Sequence, residues 1–376
     1  MTPAVHSHRV IFIDLGRALA VVFMLYGHTV SALLAPAYQT GTWFQVWQFQ
    51  RGLTSSLFLL LSGFAFSIAT SRRWTSHLRW SGDLARRVRR FALFVVLGYA
   101  LHFPAARFVD LPAVGEQGWR TFLAVDVLQL IGVTFIGVQL LVLAARTLRA
   151  FTIATLVLAV VALGFTPVVW TIDWAARLPL WLAAYLSPAT GSLFPLFPWV
   201  AFVLLGAGLG QIYGRWGASN LARFANAALL LPGAAMLTLS VAGGQMLSSL
   251  FAAGPGRFVP GDVLGRAGAC LIILGVIAHL SRRITRLPHI FGAVAQESLL
   301  VYFVHLCIVY GSIWNPGLAH SYAEALSPEA TLLVVVLLIG GMTVLAWEWN
   351  HLKHMRPRTA RWLSVGAAGV LISLVL

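Results

Sequence analysis

Long apolar segments, separated by short polar stretches, follow one another along the whole chain. A helix of about 17 to 25 mainly apolar residues is long enough to cross the hydrocarbon core of a bilayer. The segments of this kind lie near residues 10–34, 44–70, 91–109, 121–143, 150–170, 193–213, 222–250, 262–280, 289–313, 329–350 and 361–376. The pattern predicts an all-α, polytopic integral membrane helix bundle of about 11 (10–11) transmembrane helices, ten if the short last segment does not span.

Two stretches need a separate interpretation. The sequence TIDWAARLPLWLAAYLSPATG, residues 171–191, is amphipathic and contains tryptophans, which is typical of a segment that lies in the membrane interface. The first apolar segment is too long for the core of a signal peptide, and the N-terminus lacks a cleavage pattern. We therefore expect the first segment to be retained as a spanning helix, and residues 171–191 not to span.

The composition agrees with a membrane protein. Of 376 residues, 59% are hydrophobic and 10% are charged, and the mean hydropathy is +0.84. Such values lie far from those of soluble domains. The length suits one bundle, so residues 1–376 are predicted to form a single transmembrane domain. Cys270 and Cys307 lie within apolar segments and imply neither a disulfide framework nor a thiolate metal site.

The net charge of +15 comes from basic residues that cluster in alternate loops. Basic loops of membrane proteins face the cytoplasm. The most basic loop runs from Arg72 to Arg90, whereas the acidic Asp110, Glu116 and Asp173 lie in the other set of loops. The charge therefore predicts a cytoplasmic N-terminus in a multi-pass protein of the cell (inner) membrane, and it indicates topology rather than nucleic-acid binding.

The first segment carries three ionisable residues, Asp14, Arg17 and His28. Such groups are costly in a spanning helix and usually face a protein-lined cavity, so they mark function. Asp14 and Arg17 are three residues apart on one helix face and are predicted to neutralise each other. His28 lies about 21 Å further along the axis, at roughly 1.5 Å per residue, which puts it towards the opposite membrane face.

His28 allows two interpretations. A lone histidine in a membrane helix is often a buried side chain that bonds a neighbouring helix. Here, however, Gly27 precedes it, and a glycine lets another group approach closely. A neutral imidazole is also well suited to take a proton from a hydroxyl or an amine. His28 is therefore a candidate general base, with the structural role as the alternative.

The second segment ends in a polar and basic region. Ser62 and Gly63 are small and are expected to let the first helix pack closely. Six of the seven arginines that follow, all but Arg79, form two close groups, and anchoring at the cytoplasmic face explains any single one of them. So many together also suit the phosphate or pyrophosphate of a cytoplasmic ligand, because arginine bonds phosphate through two parallel donors. They are Arg72, Arg73, Arg86, Arg87, Arg89 and Arg90.

A third cluster lies in the ninth segment. Its spacing places four polar residues on one broad stripe of a helix. Such a stripe should face the interior of the bundle, either as structural polar contacts or as part of the site. Its members are Glu297, Ser298, Tyr302 and His305.

The remaining signals are weaker. His102 and Asp126 lie at the edges of segments, and Asp262 and Arg266, four residues apart, are predicted to form an internal ion pair. The patterns HExxH, CxxC, GxxxxGK[ST] and GxSxG do not occur. The sequence thus offers no basis for a metal, redox, nucleotide-hydrolysing or serine-hydrolase site.

Taken in order, these motifs resemble those of the transmembrane acyltransferase superfamily over residues 13–310. That superfamily contains the acyltransferase-3 enzymes, which O-acylate surface sugars, and the relatives of lysosomal heparan-glucosaminide N-acetyltransferase. The residues that carry the resemblance are Ile13, Asp14, Arg17, Ala18, Ala20 and His28, then Phe58, Leu61, Ser62, Gly63 and Phe64, then Arg86, Arg87, Arg89 and Arg90, and finally Ser298, Leu299, Tyr302 and His305. The stretches DVLQLIG and FPLFPWVAFVLLGAGLG resemble the heparan-acetyltransferase branch.

The resemblance implies an acyl-CoA-dependent O- or N-acyltransferase. It would move an acyl group, expected to be acetyl, from cytoplasmic acyl-CoA to a sugar-type or other small-molecule acceptor across the membrane. It implies a catalytic group of His28, Asp14 and Arg17, a basic acyl-CoA segment, and no metal. Transfer proceeds either directly, with His28 as base, or through an acyl-imidazole intermediate. A homo-oligomer is left open.

Two other classes fit the same residues. A transporter of an amphipathic or acylated small molecule could use the intramembrane polar groups as its substrate or ion site. A non-catalytic membrane protein could use them as polar contacts between helices. Consumption of acyl-CoA separates the first class from both others.

Overall fold

The computed structural model describes residues 10–251, 260–284 and 286–374. The last two residues of the predicted segment 361–376 lie outside this range. The described part is built of helices, with isolated β-bridges only. The α-helices are α1 Ile11–Leu33, α2 Gly41–Ser71, α3 Gly82–Leu101, α4 Glu116–Leu123, α5 Val127–Ala145, α6 Leu148–Thr171, α7 Leu180–Ala183, α8 Leu196–Ile212, α9 Leu221–Phe224, α10 Leu231–Phe251, α11 Pro260–Ser281, α12 His289–Gln296, α13 Ser298–Val309, α14 Gly317–Tyr322, α15 Pro328–Met355 and α16 Pro357–Ser373.

The all-α, polytopic bundle is confirmed. Within the described residues, eight helical stretches are long and apolar enough to cross a membrane, and the pair α12–α13 makes nine if it counts as one bent span. The other two predicted segments also form helices. However, α3 begins with the arginines 86, 87, 89 and 90, and α16 has only 17 residues. The count of about eleven therefore stays a prediction.

The outer helices have apolar surfaces that face away from the bundle. In α15 the exposed side chains include Leu332, Leu333, Val336, Leu337 and Val344. Contiguous apolar surface of this extent is unfavourable in water and is suited to lipid hydrocarbon. The protein is therefore a multi-pass membrane protein. Residues 171–191 form only short helical turns, including α7, as expected for a stretch that does not span.

Helices α2 and α8 cross with their backbones almost in contact. A Cβ atom built on Gly63 would lie 1.9 Å from the carbonyl oxygen of Val203, and one on Gly206 would lie 1.9 Å from that of Leu60. Small residues at such a crossing allow the close packing that stabilises helix pairs in membranes. The expectation that Gly63 admits the first helix was wrong, because Gly63 faces α8. Its neighbour Ser62 lines a cavity described below.

We expect Gly63→Ala to lower the melting temperature of the purified protein clearly. The added methyl group meets backbone of α8 that has no rotamer to change, so the helices must separate, at a cost of roughly 1 to 3 kcal/mol or more. The control is Gly164→Ala in α6, where nothing lies within 4 Å of the added atom. Thermal unfolding in detergent compares the two variants. Equal melting of Gly63→Ala and wild type would show that the crossing is looser than described.

The predicted polar stripe of the ninth segment is interrupted at its first residue. The axes of α12 and α13 meet at 72°, and Glu297 lies at the break. Its side chain is 5% exposed and accepts hydrogen bonds from Lys353 Nζ at 2.8 Å and Asn350 Nδ2 at 2.9 Å, both on α15. Glu297 therefore fixes the bend to α15, whereas Ser298, Tyr302 and His305 follow α13. The expectation of one continuous stripe was wrong, because a bend redirects every later side chain.

The end of α1 is fixed by a later segment of the chain. The N–H of Leu326 donates to the carbonyl oxygen of Leu33 at 2.8 Å, and the N–H of Ala35 donates back to Leu326 at 3.0 Å. These bonds satisfy backbone groups that a helix end would otherwise leave without partners. They also hold the last turns of α1, including His28, against the segment that follows α14.

Candidate active site

Two cavities lie side by side within the bundle. The first, the arginine cavity, has a volume of about 540 Å³ and is lined by charged side chains of α1 and α3 and by Ser62 of α2. The second, the histidine cavity, has a volume of about 1170 Å³ and contains His28. Phe58 and Tyr302 line both cavities. These two side chains therefore form a shared wall between a basic compartment and the compartment of the candidate base.

His28 is hydrogen-bonded to a second histidine. Its Nδ1 lies 2.8 Å from Nε2 of His305 on α13. The planes of the two rings differ by 10°, with 5.1 Å between the centroids, which suits a hydrogen bond in the plane of the rings. The contact joins two residues that are 277 positions apart in the sequence.

The surroundings of His305 determine which nitrogens carry protons. Nδ1 of His305 lies 2.9 Å from the carbonyl oxygen of Val301. A carbonyl can only accept, so this nitrogen carries the proton and Nε2 of neutral His305 is an acceptor. Nδ1 of His28 must then donate to it. The free lone pair of neutral His28 is therefore on Nε2, and the imidazole faces the histidine cavity as a base of fixed tautomer.

An acidic residue lies near this pair. Asp126, the residue before α5, lies 3.4 Å from Nε2 of His102 and accepts a 2.6 Å hydrogen bond from the N–H of Val127. It also interacts electrostatically with His28. Asp126 and His102 both line the histidine cavity. The site thus combines a base of defined tautomer with a nearby carboxylate.

Arg87 is held in the wall of the arginine cavity by several partners. Its guanidinium donates to Oγ1 of Thr70 at 2.6 Å, and to Nε2 of His77 at 3.1 Å. It also lies over the ring of Phe66, 4.0 Å from the centroid. Burial, and then the charge of Arg87, lower the pKa of His77 in the loop between α2 and α3. Arg87 therefore fixes α3 to the end of α2.

The other arginines have different environments. Arg86 and Arg73 both contact Asp83, which also lines the arginine cavity. Arg90 is exposed, lines the same cavity, and has no ion pair or hydrogen bond among the described residues. Arg17 lines it from α1 and donates a 3.1 Å hydrogen bond to Oγ of Ser298. The cavity thus has a positively charged lining in which Arg90 is the most available donor.

The profile of the heparan-alpha-glucosaminide N-acetyltransferase catalytic family matches residues 9–248. The chain belongs to this family. Among curated proteins, none matches the chain. The protein is therefore a multi-pass membrane acetyltransferase of the heparan-alpha-glucosaminide N-acetyltransferase family, as the resemblance of its motifs implied.

The match covers the N-terminal part of the candidate site. It includes His28 on α1, the arginines of α3, and Asp126, but it ends before α13, which carries Tyr302 and His305. The C-terminal part of the site is therefore supported by geometry, since His305 contacts His28 directly.

The structure brings together most of the residues that the sequence singled out. Around the arginine cavity these are Arg17, Ser62, Arg73, Arg86, Arg87, Arg90 and Ser298, and around the histidine pair they are His28, Tyr302 and His305. Asp14, Arg72, Arg89 and Glu297 line neither cavity. Arg72 instead interacts with Tyr213, and pairing of Asp14 with Arg17 stays a prediction. The roles of Asp14, Arg17 and the other candidate site residues are proposals.

Sequence analysis missed Arg51 and Tyr310, which line the histidine cavity. Tyr310 follows α13 and packs edge-on against the ring of His28, 5.7 Å between centroids. Arg51 could have been found, because it is an arginine within the second apolar segment and such residues rarely face lipid. Tyr310 carries no such signal.

Proposed function

We propose that the protein transfers an acyl group from acyl-CoA in the arginine cavity to a hydroxyl or amine of a sugar-type acceptor in the histidine cavity. The acyl group expected is acetyl. The observation that carries the proposal is the arrangement of the two cavities on either side of Phe58 and Tyr302. One is basic enough for a nucleotide phosphate, and the other contains a base of fixed tautomer. The wall between them is where the acyl carbon would meet the acceptor.

The chemistry follows from the tautomer of His28. Nε2 accepts the proton of the acceptor's O–H or N–H while the oxygen or nitrogen attacks the thioester carbonyl carbon. The carbon–sulfur bond breaks, and CoA leaves as a thiolate that takes the proton from His28. The products are the acylated acceptor and CoA. In the alternative route Nε2 attacks the thioester first, and the acyl-imidazole then passes the group on.

The other histidine-cavity groups would assist either route. His305 keeps the proton of His28 on Nδ1, and Asp126 stabilises the imidazolium that forms when Nε2 takes a proton. The positive-inside distribution supports a cytoplasmic arginine cavity. On that basis the donor comes from the cytoplasm, and the acceptor lies on the far side of the cell (inner) membrane.

The test is an assay of the purified protein in lipid nanodiscs with acetyl-CoA and glucosamine. We expect release of the CoA thiol together with an equal amount of N- or O-acetylated sugar, measured by a thiol reagent and by mass spectrometry. Uptake of a sugar into proteoliposomes without thiol release would favour the transporter class. Absence of thiol release with both amine and hydroxyl acceptors would overturn the proposal.

We expect Arg90→Gln to raise the KM for acetyl-CoA by roughly ten- to a hundred-fold, because a charge-assisted contact to phosphate contributes about 1.5 to 3 kcal/mol. Its matched control is Arg89→Gln on the same helix. Both side chains are exposed, but only Arg90 lines the arginine cavity. Steady-state kinetics with varied acetyl-CoA compares the two variants.

The pair also tests the simpler explanation by anchoring. Both substitutions remove one positive charge from the same part of α3, so a general surface field would raise the KM for acetyl-CoA alike in both variants. An unchanged KM in both would show that donor phosphate does not bind at α3. Accessibility labelling of the loop confirms that neither variant inverts a span.

A further inference from the structure

A buried carboxylate lies at the break between α12 and α13, and the proposed reaction assigns it no role. Nζ of Lys353 lies 2.6 Å from Oε1 of Glu297 and 2.8 Å from its Oε2, and Nδ2 of Asn350 donates a 2.9 Å hydrogen bond to Oε1. Both partners lie in the last two turns of α15. A charge-assisted contact therefore ties α15 to the point where the chain turns into α13.

The environment of this ion pair differs from that of a surface pair. The side chain of Glu297 is 5% exposed, whereas that of Lys353 is 43% exposed. Water competes with an exposed pair, which contributes little, but a buried carboxylate depends on its partner. The buried side chains of α15 are mostly apolar, Val335, Leu338 and Met342 among them, and apolar packing is non-directional. The ion pair therefore supplies a directional contact that this packing lacks.

Helix α13 carries three side chains that reach the two cavities. Ser298, its first residue, accepts the hydrogen bond from Arg17 in the arginine cavity. Tyr302 lines both cavities, and His305 lies 2.8 Å from His28. Their spacing of four and then three residues places them on one face of the helix. The direction in which α13 leaves the break therefore decides whether the contact between the histidines can form.

Distance from the break determines how far each contact would shift. His305 is eight residues beyond Glu297, about 12 Å along the helix at roughly 1.5 Å per residue, whereas Ser298 is the next residue. A tilt of about 10° at Glu297 would move His305 by about 2 Å and Ser298 by about 0.3 Å, from the same rise per residue. Hydrogen bonds weaken beyond about 3.2 Å between heavy atoms. Such a tilt would therefore break the contact between the histidines and leave that of Ser298 in place.

We propose that the ion pair of Glu297 and Lys353 sets the direction of α13, so that His305 can hold the tautomer of His28 during acyl transfer. This inference rests on the proposed function. Glu297 lines neither cavity, so it acts through His305 as a positioning residue and touches neither substrate. Loss of the ion pair is consequently expected to slow the chemical step and to leave donor binding almost unchanged.

Substitution of either partner tests the proposal, with the purified protein in lipid nanodiscs and with acetyl-CoA and glucosamine as substrates. Glu297→Gln keeps the size of the side chain and removes its charge. We expect kcat to fall by about ten- to a hundred-fold, the range for loss of a partner that orients a functional side chain. The KM for acetyl-CoA should stay near the wild-type value, because Ser298 and Arg17 move little. A kcat within a few-fold of wild type would overturn the inference.

Variants of the lysine provide the rescue and the control. Lys353→Met should show a loss of kcat similar to that of Glu297→Gln, and Lys353→Arg should recover most of it, because arginine keeps the charge and the reach. The matched control is Arg358→Met, which removes an exposed cation just beyond the end of α15. An equal loss of kcat in the control would show that the effect is one of general surface charge, and would contradict the inference.

A second substitution shows whether Glu297 acts through His305. If it does, Glu297→Gln should cost nothing further in a protein that already carries His305→Leu, because the contact that it positions is gone. The double variant should then have the kcat of His305→Leu alone, measured by thiol release. Losses that multiply would mean that the two residues act independently, which would also overturn the inference.

Hydrogen–deuterium exchange gives a readout that does not depend on turnover. Without substrates, the amides of α13 should exchange faster in Glu297→Gln than in the wild type, and at the wild-type rate in Arg358→Met. Unchanged exchange in Glu297→Gln would overturn the inference. Faster exchange in this variant, with no acetyl transfer by the wild type, would contradict the proposed function and retain the hold of the ion pair on α13. An active wild type with unaffected variants would contradict the inference alone.

Discussion

Replacing His28 by alanine is expected to lower kcat for acetyl transfer by about 10²- to 10⁴-fold, the range that a positioned general base contributes. The lone pair of the imidazole is held on Nε2, because Nδ1 of His28 donates a hydrogen bond to Nε2 of His305. Removing it leaves the acceptor to lose its proton to water. Initial rates of thiol release, with both substrates saturating, measure the effect.

The same variant needs two controls. Its melting temperature should stay near that of the wild type, because His28 is half-buried and lines a cavity. The KM for acetyl-CoA should also stay near the wild-type value, because His28 does not line the arginine cavity. Turnover within a few-fold of wild type would remove His28 from the mechanism, and would favour its interpretation as a structural histidine.

Much of the fold could be predicted because a bilayer imposes a strong pattern on sequence. The first segment was expected near 10–34 and the helix runs over Ile11–Leu33, since apolar length and flanking polar residues determine both ends. The same reasoning identified His28 and the arginines of α3. An ionisable residue in a span, or several arginines in one short loop, stands out without knowledge of any neighbour.

Contacts between distant segments could not be predicted in this way. The bond between His28 and His305 depends on how α13 is directed, and that direction is set by the bend at Glu297. A helical-wheel argument assumes one straight helix, so it placed Glu297 on the same face as His305. Likewise Gly63 identifies a close crossing, but the sequence does not tell whether the partner is α1 or α8. Only three-dimensional packing selects between these partners.

Charge pairing was misjudged for a related reason. Asp262 and Arg266 have the spacing of an ion pair on one helix, yet the guanidinium packs against Gly52 of another helix. An arginine side chain is long enough to reach partners on its own helix or on a neighbouring one, and Arg266 lines the cavity beside His28. The spacing rule holds best on an exposed helix, where no such alternative exists.

His305→Leu is expected to reduce kcat nearly as much as loss of His28, by roughly 10²- to 10⁴-fold. The lower bound corresponds to removing a partner that orients the catalytic histidine, and the upper bound to leaving that histidine in the wrong tautomer. Leucine fills the buried space but cannot accept a hydrogen bond from Nδ1 of His28. The proton can then move to Nε2, which leaves no lone pair facing the histidine cavity. Kinetics of thiol release should show the loss in kcat, with the KM for acetyl-CoA near the wild-type value.

His305→Gln distinguishes this positioning role from simple packing. The amide oxygen of glutamine can accept a hydrogen bond from Nδ1 of His28. This variant should therefore recover part of the rate that His305→Leu loses, although both variants remove the same imidazole. The two variants should melt at similar temperatures, because residue 305 is buried in either case. If both lose activity equally, the acceptor at Nδ1 is not what His305 provides. If neither loses it, His28 works without a fixed tautomer, and the second histidine serves only to hold α13 against α1.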